Sequence, residues 1–442
     1  MGSMTAQALA AIGGAGAVAV GTAGVGELRE AMDAIERRRD AGFDGGMAFT
    51  FRNPARSADP TSALPSARAA LVAAYPYSRG AGGGSVVLEA EVARYATSGA
   101  YDGLRAALEA GAEVLRSWGH RAVVVADDNA LIDRAMALRA GLGWIGKNTN
   151  LLVPGVGSWV VLGSVLTDAE LEPVAAGQSL DTVRPPQVGS GRYGAPGAQA
   201  ENGAPATQAE RGCGGCTRCL SGCPTGALVA PGVLDSGRCL SWLLQRTGSF
   251  PRQFRVALGA RIYGCDDCQE VCPPSMVHAS VVHTSMVDGE DARAGSHAGR
   301  VPIEDLLRCD DTTLLERFGS WYIARRDPRY VRRNALVVLG NVLAELDGHH
   351  RSPGAAAGSP VGDALAVGRH LLEDYLDHED PLMVEHAAWA ARRAGCDELL
   401  TIAPRAAHAE VRAELARPHP RLAGSLVVRS AARETRGDAP EP

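Results

Sequence analysis

The sequence predicts a mixed α/β (α+β) domain at the N-terminus, a cysteine-rich domain in the middle and an all-α domain at the C-terminus. Strands alternate with helices over residues 1–174, as in a mixed α/β domain. Eight of the ten cysteines lie between residues 213 and 272. From residue 301 onwards, short amphipathic helices follow one another.

Composition supports several folded domains and narrows the class of protein. The chain has 442 residues, 46% hydrophobic and 21% charged, which is enough for about two to four domains with separate cores. A net charge of −6 disfavours a protein that coats nucleic acid through bulk charge. Neither a signal peptide nor a membrane span is visible. We therefore expect a cytoplasmic monomer without membrane contact.

The N-terminal domain, residues 1–174, contains apolar runs separated by charged helical stretches. The apolar and β-branched runs predict strands at Gly16–Val20, Ala67–Tyr75, Arg121–Ala126 and Val160–Thr167. The charged stretches predict helices at Glu27–Arg39 and Tyr101–Trp118. Residues 175–212 are rich in Gly, Ala, Pro and Gln without an apolar period, which predicts a flexible insertion, with a functional lid as the alternative.

The C-terminal part, residues 301–430, is predicted to be helical throughout. Helices are expected at Val301–Arg308, Asp311–Arg317, Tyr330–Leu346, Ala364–Tyr375, Pro381–Ala394 and Pro404–Ala416. Short amphipathic helices in succession indicate stacked pairs of the HEAT type. The polar tail at 431–442 is predicted to be disordered.

The central domain, residues 213–300, carries a cysteine motif with a specific chemical meaning. The run CxxCxxCxxxCP that begins at Cys213 is the bacterial ferredoxin run, whose first three thiolates hold one 4Fe–4S cluster and whose fourth reaches a second cluster. The second run, CxxCxxxCP from Cys265, lacks one cysteine, which Cys239 could supply. Structural zinc or buried thiols are the alternatives, but a zinc site more often uses two separated CxxC pairs.

The crossed ferredoxin pattern predicts a ferredoxin-like domain with two 4Fe–4S clusters. Cluster one takes Cys213, Cys216, Cys219 and Cys272. Cluster two takes Cys223, Cys239, Cys265 and Cys268. The remaining Cys309 and Cys396 are predicted to be ordinary buried thiols. Because such clusters carry single electrons, an unidentified low-potential donor must supply them, and a further cofactor or partner must accept them.

Several segments together resemble the epoxyqueuosine reductase family. They are Met47–Pro60, Ala140–Leu152, Gly157–Trp159, Arg238–Pro273 and Arg332–Asn341. The most specific features are the displaced Cys239, the GWIGKN loop and the RRNALVVLGN helix. The resemblance covers most of the chain apart from residues 175–212 and the tail.

This resemblance implies an enzyme that reduces epoxyqueuosine to queuosine at the wobble position of tRNA. It implies a cobalamin in the N-terminal domain, supplied with electrons by the two clusters, a HEAT-like C-terminal domain, and the tRNA anticodon stem-loop as partner. A corrinoid reductive dehalogenase is the alternative enzyme, disfavoured by the missing export signal. A non-catalytic iron–sulfur electron carrier or scaffold is the other alternative, disfavoured by the long N-terminal domain.

The resemblance also implies a general acid. In the family this is an aspartate that opens a segment D-x-x-P-x-x-E-R, and Asp127 takes that place here, with Ala130 and Asp133 replacing the proline and glutamate. Asp128 is the fallback, and two solvated carboxylates after a strand are the ordinary interpretation. Asp102 stands where the family tends to have a histidine.

Four further residues match family positions that we expect near the cobalamin: Arg52, Lys147, Ser241 and Asp266. Lys147 could equally be a surface lysine.

Residues 321–333, WYIARRDPRYVRR, combine five arginines with three aromatic side chains. Arginines that contact phosphates and aromatics that stack on splayed bases are common in the recognition of RNA loops. The segment is therefore predicted to contact the anticodon stem-loop, with a solvated helix face as the alternative.

Overall fold

A computed structural model describes residues 2–77, 88–97, 99–174, 212–276, 299–350, 360–402 and 405–420. The predicted insertion at 175–212, apart from Gly212, and the predicted tail at 431–442 lie outside the described residues. The chain divides into two compact units. The first comprises Met1–Pro251 and Ala260–Ala335, and the second comprises Arg252–Gly259 and Leu336–Pro442.

The secondary structure is numbered along the chain. The helices are α1 (Met4–Gly14), α2 (Arg29–Asp40), α3 (Pro54–Ala58), α4 (Ala100–Ser117), α5 (Asp133–Arg139), α6 (Arg218–Gly222), α7 (Leu240–Gln245), α8 (Arg252–Leu258), α9 (Asp267–Glu270), α10 (Ile303–Arg308), α11 (Asp311–Arg317), α12 (Arg329–His350), α13 (Pro360–Leu376), α14 (Pro381–Ala394) and α15 (Ala409–Leu415). The strands are β1 (Ala19–Gly24), β2 (Ala69–Pro76), β3 (Glu89–Val92), β4 (Ala122–Ala126), β5 (Trp144–Ile145), β6 (Leu151–Leu152), β7 (Val160–Thr167), β8 (Leu228–Ala230), β9 (Val233–Leu234), β10 (Arg261–Tyr263) and β11 (Arg300–Pro302).

The first unit is built on an antiparallel sheet with strand order β1-β2-β7-β4. Side chains of a strand point alternately to the two faces of its sheet. Leu71 and Ala73 of β2 pack into one core with α1 and α4, whereas Ala70 and Val72 pack into a second core with α5. Because both faces are covered, β2 has a continuous apolar sequence. The predicted mixed α/β fold is confirmed.

Helix α1 was not predicted, and it displaces the first strand. Ser3 caps the helix by accepting a hydrogen bond from the Ala6 N–H at 3.3 Å. On its inner face, Ile12 is fully buried, and a Cβ at Gly111 of α4 would come within 2.5 Å of it. The strand predicted at 16–20 therefore begins at Ala19, after the helix has turned back.

A small sheet with order β10-β3-β11 changes the predicted domain boundary. Val301 lies in β11, which is antiparallel to β3, so the helix predicted from residue 301 begins at Ile303. The first turns of α12 belong to the first unit, where the side-chain amide of Asn334 donates to the carbonyl of Leu244 at 2.9 Å. The chain accordingly divides inside α12, after Ala335, rather than at residue 301.

The second unit is helical, and α14 is its most buried helix. Asp380 caps the helix through the Leu382 N–H at 2.9 Å, and Gly395 ends it with a left-handed φ of 79°. Gly340 of α12 allows close packing, since a Cβ there would be 2.7 Å from the Cα of Ala390. Among the described residues, no helix combines the length and the apolar character needed to cross a membrane.

A buried carboxylate links three helices of the second unit. Glu414 of α15 is 1% exposed and accepts hydrogen bonds from Arg252 of α8 at 2.6 and 3.0 Å. Arg392 of α14 donates to the carbonyl of Glu414 at 2.6 Å and to its carboxylate at 3.4 Å. Such a group must stay paired because an isolated buried charge is costly.

Replacing Glu414 by glutamine is expected to lower the free energy of unfolding of the second unit by about 3 kcal/mol, because two arginines lose their carboxylate partner. Denaturation followed by circular dichroism would measure this. Glu410→Gln in the same helix is the matched control, with little expected change because Glu410 has no ion-pair partner among the described residues. Equal stability of the Glu414→Gln protein and the parent would contradict the structural role of the pair.

Candidate functional site

One group of thiols surrounds Cys219 in the first unit. Burial raises the pKa of the Cys219 thiol to about 11, and the neighbouring thiols of Cys272, Cys213 and Cys216 raise this pKa further. The structure thus brings together the four cysteines that the spacing assigns to cluster one.

A second group surrounds Cys268. Burial raises the pKa of the Cys268 thiol well above its usual value, with further contributions from Cys239 and Cys223. Burial also raises the pKa of the Cys265 thiol, and Cys239 contributes to this rise in pKa. Cys239 therefore lies with Cys265 and Cys268 of the second run, where it can supply the cysteine that this run lacks in sequence.

None of the ten cysteines, all of which lie among the described residues, forms a disulfide bond. Among the described residues, no three His, Cys, Asp or Glu side chains converge closely enough to hold a single metal ion. A 4Fe–4S cluster binds one thiolate at each iron, so its ligands stand further apart. Cys309 and Cys396 belong to neither group and are half-buried, so the prediction that both are buried was wrong.

The turn between β5 and β6 contacts both groups of thiols. Lys147 is only 6% exposed and donates from Nζ to the Gly214 carbonyl at 2.7 Å, beside a cavity that the four thiols of the first group also line. Asn150 donates from Nδ2 to the Sγ of Cys268 at 4.0 Å. The interpretation of Lys147 as a surface lysine was therefore wrong.

Asp127 follows β4 in a conformation that few residues adopt. Its φ is 52°, in the left-handed region that costs energy for a residue with a Cβ. The side chain reaches solvent, yet partial burial raises the pKa of its carboxyl; Arg105 opposes this rise in pKa and Asp128 adds to it. Arg105 also fixes the end of the strand, since its Nη2 donates to the Ala126 carbonyl at 2.5 Å.

The neighbouring Asp128 and Asn129 have structural roles. Asp128 accepts a hydrogen bond from the Ala130 N–H at 2.9 Å, which closes a turn. The side-chain oxygen of Asn129 accepts a hydrogen bond from the Thr50 N–H at 2.5 Å, and the backbone carbonyl of Asn129 accepts one from the Ser57 hydroxyl at 2.7 Å. The Asp127 loop is thereby joined to the segment at 47–60. The Asp128 carboxylate is used to close the turn, whereas the Asp127 carboxylate is exposed and makes no hydrogen bond among the described residues.

Buried acids and tyrosines lie behind this loop. Burial raises the pKa of the Asp133 carboxyl well above its usual range, and Asp127 raises it further. The Oδ1 of Asp133 is enclosed and has no hydrogen-bond partner among the described residues. Tyr101, at the start of α4, is close to both carboxylates, which raise its pKa in addition to burial.

A similar group surrounds Asp266, next to the second group of thiols. Burial raises the pKa of the Asp266 carboxyl to about 6. Its Oδ2 accepts from the Arg94 N–H at 2.8 Å, whereas Oδ1 is enclosed without a partner among the described residues. Burial raises the pKa of Tyr95, and Tyr101 and Asp266 both raise it further, so Tyr95 connects the two groups.

The four residues predicted near a cobalamin therefore lie in different parts of the first unit. Lys147 lies at the first group of thiols, and Asp266 at the second. Ser241 is half-buried, and its backbone N–H hydrogen-bonds the Cys239 thiol, which lowers the pKa of that thiol against the larger effect of burial. Arg52 is exposed, in the segment joined to the Asp127 loop, and its side chain has no partner among the described residues.

Part of the predicted RNA-binding segment is structural instead. Trp321 is 2% exposed and stacks on Tyr263 with ring centroids 4.6 Å apart. Tyr330 is buried, and Arg333 is fully buried with its guanidinium donating to the carbonyls of Arg246 and Gly248. The predicted RNA contacts of these three side chains were therefore wrong, because all three are buried in the protein.

The exposed remainder of the segment is centred on Tyr322, which is 58% exposed. Its N–H donates to the Tyr263 hydroxyl at 2.7 Å. Burial raises the pKa of Tyr263 to about 12, and Asp127 contributes to this rise in pKa, so the Tyr263 hydroxyl that accepts the Tyr322 N–H is within electrostatic reach of the Asp127 carboxyl. Arg325 and Arg326 are exposed and have left-handed φ values of 57° and 54°.

Comparison with known proteins identifies the family. A family model described as a 4Fe-4S double cluster binding domain matches residues 212–275. The epoxyqueuosine reductase of Xanthomonas campestris pv. campestris is 34% identical over 289 residues, which cover 63% of this chain and 70% of that protein. The epoxyqueuosine reductase of Vibrio cholerae is 31% identical over 325 residues, 71% of this chain and 77% of that protein. The chain belongs to the epoxyqueuosine reductase family.

Solved epoxyqueuosine reductases share the fold. A Bacillus subtilis structure, described with its catalytic aspartate loop swung out of the active site, matches with a TM-score of 0.68 at 23% identity, covering 93% of this chain and 97% of that one. A structure with an epoxyqueuosine-modified tRNA-Tyr stem loop matches with a TM-score of 0.67 at 24% identity, covering 93% and 96%. These matches support the mixed α/β fold with a helical C-terminal region.

This member of the epoxyqueuosine reductase family lacks three residues of the expected motifs. Ala130 and Asp133 lie in the loop and first helical turn after Asp127. Asp102 is exposed in the first turn of α4, where a carboxylate interacts favourably with the helix dipole.

Sequence reasoning missed two residues beside Asp127. Arg105 lies one helical turn after Tyr101, and both side chains reach the aspartate loop from α4. Their spacing of four residues, on a helix predicted next to the Asp127 strand, is the signal that could have found them.

The raised pKa of the Asp133 carboxyl predicts that the stability of the protein depends on pH. Its folded-state pKa is raised above the unfolded value of about 3.9. As the pH rises, the Asp133 carboxyl ionises more readily in the unfolded state than in the folded state. This lowers the free energy of unfolding of the parent but not of Asp133→Asn. The melting temperature of Asp133→Asn minus that of the parent should grow from about pH 4 upwards. Asp133→Glu, which can still ionise, is the control, and a difference independent of pH would contradict the raised pKa.

Proposed function

We propose that this chain reduces epoxyqueuosine to queuosine at the wobble position of tRNA, with Asp127 as the general acid. The observation that carries the proposal is the position of Asp127. It follows β4 in a left-handed conformation with an exposed carboxyl, in a chain that belongs to this family and matches a 4Fe-4S double cluster binding domain. Perturbed, accessible carboxyls of this kind are typical of catalytic sites.

The eight grouped cysteines are the proposed ligands of two 4Fe–4S clusters. Two sets of four thiols are the donor set that two such clusters need. Cluster one takes Cys213, Cys216, Cys219 and Cys272, and cluster two takes Cys223, Cys239, Cys265 and Cys268. Ligation requires thiolates, so loading releases protons from these thiols. The region would form a ferredoxin-type domain, and the helical region a HEAT-like one.

Cobalamin is the proposed electron acceptor, and when bound it supplies the two electrons of the reduction. Asp266 fits a polar cofactor because its enclosed Oδ1 has no partner among the described residues. Arg52 and Ser241 likewise offer side chains without a described hydrogen bond. Lys147 is less suited to a direct contact, because its ammonium already binds the Gly214 carbonyl.

The reaction breaks both carbon–oxygen bonds of the epoxide, forms the carbon–carbon double bond, consumes two electrons and two protons, and releases water. Asp127 donates a proton to the departing oxygen, since an alkoxide leaves poorly at neutral pH. Its raised pKa keeps more of the carboxyl protonated. Because the side chain reaches solvent, it can be reprotonated for the second transfer, while Arg105 holds the strand end in place.

The tRNA anticodon stem-loop is the proposed partner, and Tyr322 and Arg325 are its proposed contacts. The exposed Tyr322 ring offers a surface on which a base of the stem-loop can stack, and Arg325 offers a charge for phosphate. The solved relative bound to a tRNA stem loop supports the partner class. We further propose a cytoplasmic monomer served by an unidentified low-potential donor.

Neither alternative function has comparable support. The relatives described above carry the name epoxyqueuosine reductase rather than that of a dehalogenase. An electron carrier would not need Asp127 in a strained, accessible position.

The catalytic proposal predicts that Asp127→Asn loses conversion of epoxyqueuosine-containing tRNA by about 10²–10⁴-fold, because the proton donor is removed. The assay is nucleoside mass spectrometry after anaerobic incubation with cluster-reconstituted protein, cobalamin and a strong reductant. Asp128→Asn is the control and should convert at close to the parent rate, since asparagine can still accept the Ala130 N–H and Asp128 affects the pKa of Asp127 less than burial and Arg105 do. Normal conversion by Asp127→Asn would refute the acid, and no conversion by the parent would refute the function.

The binding proposal predicts that Tyr322→Ala weakens binding of an anticodon stem-loop by about 1–3 kcal/mol through lost stacking. Arg325→Ala should weaken binding and also reduce its dependence on salt, because one phosphate contact disappears. Fluorescence anisotropy at several salt concentrations measures both. Arg29→Ala, which removes an exposed arginine of α2, is the charge-matched control. Unchanged affinity in both test variants would exclude this surface.

A further inference from the structure

We propose that the turn between β5 and β6 sets the reduction potentials of the two clusters, with Lys147 acting on cluster one and Asn150 on cluster two. This inference rests on the cluster assignment proposed above. It gives one short segment, residues 146–150, an effect on both electron-transfer steps.

Lys147 is the only lysine in the sequence, although lysine and arginine together number 44. It is buried, and its Nζ lies 2.7 Å from the carbonyl of Gly214, which stands between the proposed ligands Cys213 and Cys216. Interactions between charges are strong where water is excluded. Reduction makes a cluster more negative, so the nearby ammonium stabilises the reduced state and raises the potential of cluster one.

Asn150 acts on the other cluster through a hydrogen bond. Its Nδ2 donates to the Sγ of Cys268, a proposed ligand of cluster two, at 4.0 Å. Hydrogen bonds to ligand sulfurs favour the reduced, more negative state and so raise the potential. Asn148 keeps the turn at this site, since its Nδ2 donates to the Cys268 carbonyl at 3.4 Å.

The backbone of the turn is firmly held. The Thr149 N–H donates to the Gly146 carbonyl at 2.9 Å, and the Gly146 N–H donates to the Asn150 carbonyl at 2.8 Å. Thr149 has a left-handed φ of 67°, which persists only where the surroundings impose it. The Gly232 N–H binds the Lys147 carbonyl at 2.9 Å. Lys147 and Asn150 are therefore held in one hydrogen-bonded turn, with Lys147 at the first group of thiols and Asn150 at the second.

The test compares Lys147→Met and Asn150→Leu with the parent, each as the full chain reconstituted anaerobically with iron and sulfide. Electron paramagnetic resonance during a reductive titration gives the potential of each cluster. Lys147→Met should shift one cluster to a more negative potential and leave the other unchanged. Asn150→Leu should shift the other cluster in the same direction. Lys147→Arg, which retains the charge, should lie closer to the parent than Lys147→Met.

The single lysine allows a second measurement. Protein labelled with ¹⁵N-lysine carries one labelled ammonium, whose signal should broaden when the paramagnetic cluster forms on reduction. An unaffected signal would place the ammonium away from the cluster and refute the proposal for Lys147.

The outcomes separate this inference from the proposed function. A parent protein that takes up no clusters contradicts the cluster assignment. Two clusters whose potentials are the same in the parent, Lys147→Met and Asn150→Leu overturn the role of the turn, as does a shift of the same cluster by both variants. If Lys147→Met loses iron, Asn150→Leu decides alone, and unchanged potentials in that variant overturn the proposal.

Discussion

The position of Cys239 is the constraint on which the first unit depends. This thiol must join cysteines that lie elsewhere in the sequence, so the chain around it has to be held from several sides. The Ser236 N–H donates to the Phe43 carbonyl at 2.8 Å, and the Trp242 indole donates to the Gly45 carbonyl at 2.8 Å. A Cβ on Gly45, whose φ is 58°, would come within 2.5 Å of the Gly237 nitrogen.

This constraint explains why the predicted N-terminal and cysteine domains form a single compact unit. The segment near residue 45 belongs to the former and holds Cys239 of the latter. Arg134 of α5 adds an electrostatic link, because its guanidinium opposes the rise that burial causes in the pKa of the Cys239 thiol. The helix that follows the Asp127 loop therefore also faces the second group of thiols. The proposed proton donor and the proposed cluster ligands thus belong to one compact unit.

The sequence allowed the prediction of features that depend on local spacing. The β7 strand, α11 and α14 have the predicted bounds, and the crossed cysteine spacing anticipated both groups of thiols. Features that depend on tertiary packing could not be predicted. Arginine patterns do not reveal that Arg333 is fully buried on backbone carbonyls, and an isolated lysine on a glycine-rich turn does not reveal that Lys147 faces Gly214.

A hydrogen bond at Ala130 closes the Asp127 loop at the position where the family motif is expected to have a proline. Proline restricts φ but has no N–H to donate. Ala130 has that N–H and donates it to Asp128 at 2.9 Å, a bond that a proline at this position cannot make. A side-chain hydrogen bond therefore replaces the restriction of a ring. Asp128 closes the turn as a result, which leaves the exposed Asp127 as the proposed acid.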